Sequence, residues 1–316
     1  MLKYRERKIM PELPEVETIR RGLKDFIVSK KITKIEVLCD KSFQGQPNQT
    51  ENQTIKAIRR FGKALILDLD NDTSLMIHLR MTGQLIYDGK KTERYAAGHP
   101  SDNFTAALPN KQTRVVIKFP DGTLYFNDQR KFGFIKNIKT KDVTNDSFIK
   151  KLAKEPWGMT ADELYEKFQR HTNSLVKATI LDQSIICGLG NIYADESLFA
   201  AKIHPERRCG AVTREETEKL LKAACNVMDK SIASGGSTMA TYVKADGTKG
   251  DYLEKFAQVF HKEGTPCPRC GTQIIKIRVA GRGTHLCPHC QTSPVNSESG
   301  ASVSSESPIK KGAKND

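Results

Sequence analysis

Met10-Pro11-Glu12-Leu13-Pro14-Glu15-Val16-Glu17-Thr18 combines two prolines, three acids and the start of a helical repeat. From Pro14 onward the apolar positions Val16, Ile19, Leu23 and Phe26 keep helical spacing, and a proline suits a first helical turn. Pro11 is the chemically unusual residue. Inside a chain it is a tertiary amide with no lone pair to offer. If translation starts at Met10 and that methionine is trimmed, Pro11 becomes a secondary amine able to attack a sugar carbon and form an iminium. Residues 1–10 are therefore expected to be an extension absent from the active protein.

Outward from that helix the chain, to about residue 140, reads as strands: Lys31–Cys39, Thr54–Arg60, Ala64–Asp70, Ser74–Arg80, Arg114–Phe119, Thr123–Asn127 and Gly133–Ile138. They are rich in Ile, Val, Leu and Phe and punctuated by Asp-Gly or Asn-Asp turns, as expected of a β-sandwich capped by one helix. Gly89–Gln112 is polar and turn-rich and is expected to be a long loop. A boundary falls near Glu155-Pro156-Trp157-Gly158. Beyond it Thr160–Gln169, Leu175–Gln183, Ile192–Ala201 and Thr213–Ala233 carry helical patterns, with Thr160 and Thr213 as N-caps. The expected division is an extension at 1–10, a β-sandwich at 11–150, a helical domain at 151–255, a hairpin domain at 256–291 and a disordered Ser/Lys/Gly-rich tail at 292–316. The fold class is α+β and multidomain.

The 316 residues carry a formal net charge of +14, which favours a polyanionic partner, nucleic acid before membrane. No run approaches the roughly 18 apolar residues of a membrane-spanning helix. The first nine residues lack the apolar region of a secretory signal. Four of the eight cysteines form Cys267-Pro-Arg-Cys270 and Cys287-Pro-His-Cys290. That spacing fits a zinc ribbon, in which each knuckle presents two thiolates to one tetrahedral ion and no position is left for a catalytic water. One structural Zn2+, no organic cofactor and a reducing, cytoplasmic setting are expected. His285 and His289 are expected at the surface, and Cys39, Cys187, Cys209 and Cys225 as small buried or incidental residues.

Further signals are individually weak. Gly188-Leu189-Gly190-Asn191 enters a helix and allows an anion close to its N-terminus. Gly281-Arg282-Gly283 at a hairpin tip projects a guanidinium. Lys63 and Lys177 read as solvated charges. Met81 and Phe132 read as half-buried hydrophobes, although a Met, Arg130 and a Phe on inter-strand loops could enter a DNA stack as wedges.

Taken together, PELPEVETIRRGL (11–23), IHLRMTGQL (77–85), NDQRKFG (127–133), CGLGNIYADESLFAAKIHP (187–205) and VAGRGTH (279–285) within the ribbon resemble the bacterial formamidopyrimidine-DNA glycosylases of the Fpg/Nei family. The resemblance spans about Met10 to Gln291. It implies an N-terminal β-sandwich, a helix-two-turns-helix domain and a zinc ribbon. It implies a base-excision-repair enzyme, glycosylase and AP lyase, that removes 8-oxoguanine opposite cytosine and formamidopyrimidines from double-stranded DNA and nicks by β,δ-elimination. Pro11 then matches the nucleophile and Glu12 the acid that protonates the sugar ring oxygen. Lys63 matches the proton donor in β-elimination, and Arg282 the residue assigned to δ-elimination. Lys177 and Asn191 match residues gripping the flanking phosphates. Met81, Arg130 and Phe132 match the side chains that fill the hole left by the flipped nucleotide. Glu15, Ser237, Thr238, Thr241 and Tyr242 fall at the lesion pocket and its capping loop.

The chain departs from the family pattern at three DNA-facing places. Gln112 stands where many members have histidine. Asn173, in His171-Thr172-Asn173, stands where a basic cluster is common, and Ala240 where close relatives often carry Arg. Two other outcomes remain at this point: a lesion-binding protein silent because Pro11 stays blocked, and an oxidised-pyrimidine glycosylase of the same family. A zinc-ribbon adaptor would not need PELPEVET, Lys63 and Gly-x-Gly-Asn together. A monomer is expected.

Overall fold

The computed structural model describes residues 10–90, 92, 94–99, 101, 104–237 and 252–292. Residues 1–9, Thr238, Thr241 and Tyr242 of the expected capping loop, and the tail beyond residue 292 lie outside the described residues.

Helix α1 (Leu13–Ile27) begins where the prolines place it, and the Glu12 backbone N–H donates to Glu15 Oε2 at 2.9 Å, closing its first turn. Among the described residues two five-stranded sheets follow. One orders β1 (Lys34–Val37), β8 (Thr113–Phe119), β9 (Gly122–Asp128), β6 (Gly83–Gly89) and β7 (Tyr95–Gly98) side by side. The other orders β2 (Phe43–Gln44), β10 (Phe134–Lys139), β5 (Thr73–His78), β4 (Ala64–Leu69) and β3 (Ile55–Phe61). Neighbours are antiparallel except β2 and β10. Inward residues of both sheets, such as Leu67, Ile77, Val115 and Phe126, share one core with Val16, Ile19, Leu23 and Ile27 of α1.

Three strands differ from expectation. β2 and β6 carry no strand reading in the sequence, and β7 lies inside the segment expected to be loop. Tyr95-Ala96-Ala97-Gly98 has little strand propensity of its own. It pairs with β6 because Tyr95 packs against Phe26 of α1, with ring centroids 5.3 Å apart, so tertiary packing overrides the local signal.

The helical domain holds α2 (Ala161–Arg170), α3 (Val176–Ile180), α4 (Asn191–Ala201), α5 (Arg214–Ala233) and the short α6 (Tyr252–Lys255). Thr160 and Thr213 are the N-caps, their hydroxyls accepting from the Glu163 and Glu216 backbone N–H groups. α3 is shorter than expected: Asp182 Oδ1 accepts the Ser184 N–H at 2.8 Å and turns the chain out of the helix. The C-terminal hairpin pairs β11 (Ile275–Val279) with β12 (Arg282–Leu286).

Leu13, the first residue of α1, belongs to the core of the helical domain, whereas Val16 and Ile19 belong to the sandwich core. One helix is thus shared by two cores, and its N-terminus lies at the seam between them.

Candidate active site

Two glycines open that seam. Gly188 has φ +96°, and a Cβ built there would overlap the Leu13 side chain. A Cβ on Gly190 would overlap the Glu12 carboxyl group. The Gly-x-Gly-Asn step therefore admits the start of α1 against the start of α4. The group at the α4 N-terminus is the protein's own Glu12 carboxyl, whose Oε1 accepts the Ile192 N–H at 3.3 Å. Pro11 is buried beside it.

Lys63, on the β3–β4 turn, reaches the same point and donates to Leu189 O at 2.8 Å. Gln183 holds this loop from behind, donating to Leu189 O and accepting the Gly188 N–H. Burial pushes the Glu12 carboxyl up to about 7, with the Lys63 charge opposing and Glu15 reinforcing the rise. Burial likewise lowers Lys63 from the ordinary lysine value, against the pull of Glu12. Both groups are thus driven toward their neutral forms, which suits proton transfer near neutral pH. Glu12 Oε2 is buried without a hydrogen-bond partner, an acid atom left available to a reacting group.

Glu15 is buried and ties three elements together. Its Oε2 accepts from Glu12 N, and its Oε1 accepts the Tyr193 hydroxyl at 2.6 Å and the Ser237 N–H at 2.8 Å. Tyr193 also contacts Ser231 Oγ at 2.6 Å, so the end of α5 and the start of the capping segment are fastened to the α1 N-terminus.

Met81, Arg130 and Phe132 are brought together as expected. Arg130 Nη1 lies 3.0 Å from Met81 Sδ, and its guanidinium sits 4.7 Å from the Phe132 ring centroid. Phe132 is 53 % exposed, an aromatic held out in solvent. Buried Asp128 shapes this loop by accepting the N–H groups of Arg130, Phe132 and Gly133 and the Thr82 hydroxyl. Gln112 is half-buried on the turn before β8, its carbonyl accepting the Asp128 N–H. Asn173 is exposed, and its carbonyl accepts from Arg208.

Arg282 is exposed at the β11–β12 turn, and its charge bears on both Lys63 and Lys177. Asn191 donates to Gly283 O at 2.9 Å, joining α4 to that turn. Lys177 departs from expectation. It is neither solvated nor open to a phosphate but wholly buried: its Nζ lies 2.6 Å from Asp195 Oδ1 and donates to Gly283 O and Thr284 Oγ1. A lysine this deep needs its countercharge, and Asp195 supplies it. Lys177 thus supports the hairpin that presents Arg282. His285 is also corrected: it is 2 % exposed, with Nδ1 3.2 Å from Asp195 Oδ2, while His289 is exposed as expected.

The four ribbon cysteines converge, with Cys267 and Cys290 sulfurs 3.9 Å apart and Cys270 and Cys287 sulfurs 3.5 Å apart. Tetrahedral Zn–S bonds of ~2.3 Å set sulfurs about 3.8 Å apart, and a disulfide needs about 2.05 Å. The donor set fits zinc, and these cysteines hold one structural Zn2+. The ion supplies folding energy to the hairpin that carries Arg282.

Sequence reasoning missed Asp128, Tyr193, Ser231 and Asp195. Tyr193, Ser231 and Asp195 act through partners distant in the chain, whereas Asp128 acts mainly on its own loop through Arg130, Phe132 and Gly133.

A two-sheet sandwich, a helical unit, a zinc ribbon, a buried acid beside a proline and an exposed aromatic fit a DNA-processing enzyme. Three family profiles match in order. The formamidopyrimidine-DNA glycosylase N-terminal domain covers residues 10–135, the formamidopyrimidine-DNA glycosylase H2TH domain residues 152–243, and the zinc finger found in FPG and IleRS residues 264–292. Similar proteins include the formamidopyrimidine-DNA glycosylase of Desulfitobacterium hafniense, 37 % identical over 89 % of this chain and all of that protein. That of Streptococcus thermophilus is 38 % identical over 89 % of this chain and 99 % of that protein. The structure resembles Lactococcus lactis Fpg bound to DNA containing an abasic site, with TM-score 0.79 and 36 % identity over 90 % of this chain and all of that one. It also resembles the same enzyme bound to DNA containing an oxidised pyrimidine, with TM-score 0.78, 36 % identity and the same coverage. The chain belongs to the formamidopyrimidine-DNA glycosylase family, a DNA glycosylase and AP lyase of base excision repair. Among the described residues no helix is long and apolar enough to cross a membrane.

Proposed function

We propose that Pro11, unmasked by initiation at Met10 and removal of that methionine, is the nucleophile. Its amine attacks C1′ of an extruded nucleotide, the glycosidic bond breaks, and the sugar is held as an iminium. Glu12 protonates the sugar ring oxygen as the ring opens. Lys63 serves proton transfer in β-elimination, which expels the 3′ phosphate. Arg282 assists the δ-elimination that expels the 5′ phosphate. The observation that carries this reading is the Glu12 carboxyl, buried next to Pro11 at the α4 N-terminus with Oε2 unengaged and Lys63 close by. The start at Met10 is supported by the family profile, which begins at residue 10.

A base cannot be attacked at its sugar while stacked. Met81, Arg130 and Phe132 enter the duplex and offset part of the unstacking cost of a few kcal/mol. Asn191 and Arg282 face the flanking phosphates. Glu15 and Ser237 belong to the lesion pocket, and the family resemblance assigns Thr238, Thr241 and Tyr242 to lesion recognition. Oxidised purines, 8-oxoguanine opposite cytosine and formamidopyrimidines, are the main substrates. The oxidised-pyrimidine DNA bound by the Lactococcus enzyme supports some oxidised pyrimidines as secondary ones. The enzyme works as a monomer in the cytoplasm, at the nucleoid.

The test is a lesion panel in duplex DNA given to protein starting at Pro11. The reading expects single-turnover excision fastest for 8-oxoguanine:cytosine and formamidopyrimidine, with a one-nucleotide gap bearing phosphate at both ends. Preference for thymine glycol would replace it with the oxidised-pyrimidine reading. Binding without excision would leave a damaged-DNA-binding protein.

A further inference from the structure

We propose that His261, Glu263 and His285 form a second metal site, separate from the four-cysteine ribbon, for a divalent transition ion that accepts imidazole, such as Zn2+. The His285 ring is buried on β12. Asp195 Oδ2 accepts the His285 backbone N–H at 2.9 Å and lies 3.2 Å from ring Nδ1. A carboxylate at Nδ1 fixes the tautomer with the proton there and leaves the Nε2 lone pair pointing away, the arrangement that metal-binding histidines use.

That Nε2 is buried and has no aligned hydrogen bond, although Glu263 Oε2 stands 3.2 Å from it. A lone pair facing a carboxylate oxygen at this distance is repulsive unless a cation, a proton or a metal ion, lies between them; Lys276 Nζ, 3.6 Å from Glu263 Oε1, pairs with the other carboxylate oxygen. His261 supplies the third donor. Its ring centroid is 5.2 Å from that of His285, and the three ligand atoms lie within 4.8 Å of one another. A tetrahedral ion with bonds of about 2.1 Å holds its ligands roughly 3.4 Å apart. The Glu263 side chain, 44 % exposed, can close the remaining difference and leaves room for water as a fourth ligand. His261 adopts φ +57°, a left-handed conformation unusual for a residue with a β-carbon, and this turns its ring toward His285.

Two imidazoles and one carboxylate select ions of the zinc, nickel and copper type over calcium or magnesium. A bound ion fastens the segment entering the ribbon to β12. Through Asp195 it also braces Lys177 and the turn bearing Arg282.

The test uses the full chain with ribbon zinc in place, dialysed against Zn2+ in modest excess and counted by elemental analysis. The expected result is two zinc ions per chain in the parent, and one in both His261→Ala and Glu263→Gln, each variant keeping the ribbon zinc and the parent circular dichroism. Added Zn2+ raises the melting temperature of the parent and of neither variant. Co2+ supplied as the second equivalent gives ligand-field bands without sulfur-to-cobalt charge transfer. A parent that holds one zinc, a variant that still holds two, or a sulfur charge-transfer band from the second equivalent would overturn the proposal.

Discussion

Glu12→Gln in the full-length chain separates the proton chemistry of the site from its shape. Glutamine keeps the acceptor that faces the Ile192 N–H and removes the ionisation. The Glu12 carboxyl is raised from 4.5 to about 7, chiefly by burial. A carboxyl whose folded value lies above its unfolded value favours the folded state most at low pH. It gives up that contribution as pH rises from the unfolded value through the folded one, because the unfolded chain releases its proton first. At 1.36 kcal/mol per unit the loss between pH 4.5 and pH 7 is about 3 kcal/mol. The Gln variant has no such loss, so its stability relative to the parent should improve by about 3 kcal/mol across that window and then level off. Urea unfolding of both proteins, with zinc present, at half-unit steps from pH 4.5 to 8.5 measures it, and the difference between them cancels the titrations that do not sense Glu12. The same substitution in protein starting at Pro11 should lower turnover by about 10²- to 10⁴-fold, the range for removing a general acid. A parent-to-variant difference that stays flat with pH would refute the buried, proton-holding Glu12. In protein starting at Pro11 the free ammonium favours ionised Glu12, and the step should shrink.

Gly190→Ala should drive the Glu12 carboxyl from its place, lowering single-turnover excision by about 10²-fold or more while DNA affinity in gel-shift titration changes little. Lys177→Ala leaves Asp195 as an unpaired buried charge and should cost about 3–5 kcal/mol in unfolding experiments; a loss below about 1 kcal/mol contradicts the burial of this pair. Removing zinc with a chelator should abolish strand cleavage through collapse of the β11–β12 hairpin, and zinc with reductant should restore it. Chelated protein that still cuts would detach the hairpin from the chemistry.

Much of the fold was legible because its signals are local. Proline and apolar spacing place α1, Thr160 and Thr213 cap α2 and α5, and the two CxxC knuckles define the ribbon. β7 was not legible, since two alanines become strand only against α1. At the site, Gly188-Leu189-Gly190-Asn191 was readable as an anion-accepting helix start, but not that its occupant is the Glu12 carboxyl, 180 positions from Ile192. Lys177 shows the same limit from the other side. Alone it reads as a solvated charge, and only the meeting of α3, α4 and β12 reveals Asp195 and the hairpin carbonyl as its partners.

Covalent trapping tests the nucleophile itself. Protein starting at Pro11 and full-length protein retaining Met1–Ile9 are each incubated with an 8-oxoguanine:cytosine duplex and borohydride, and the adduct is mapped by peptide mass. The account predicts one cross-link, on Pro11, in the first protein and none in the second. Equal trapping by the chain that retains Met1–Ile9, or an adduct mapped to Lys63, would contradict it.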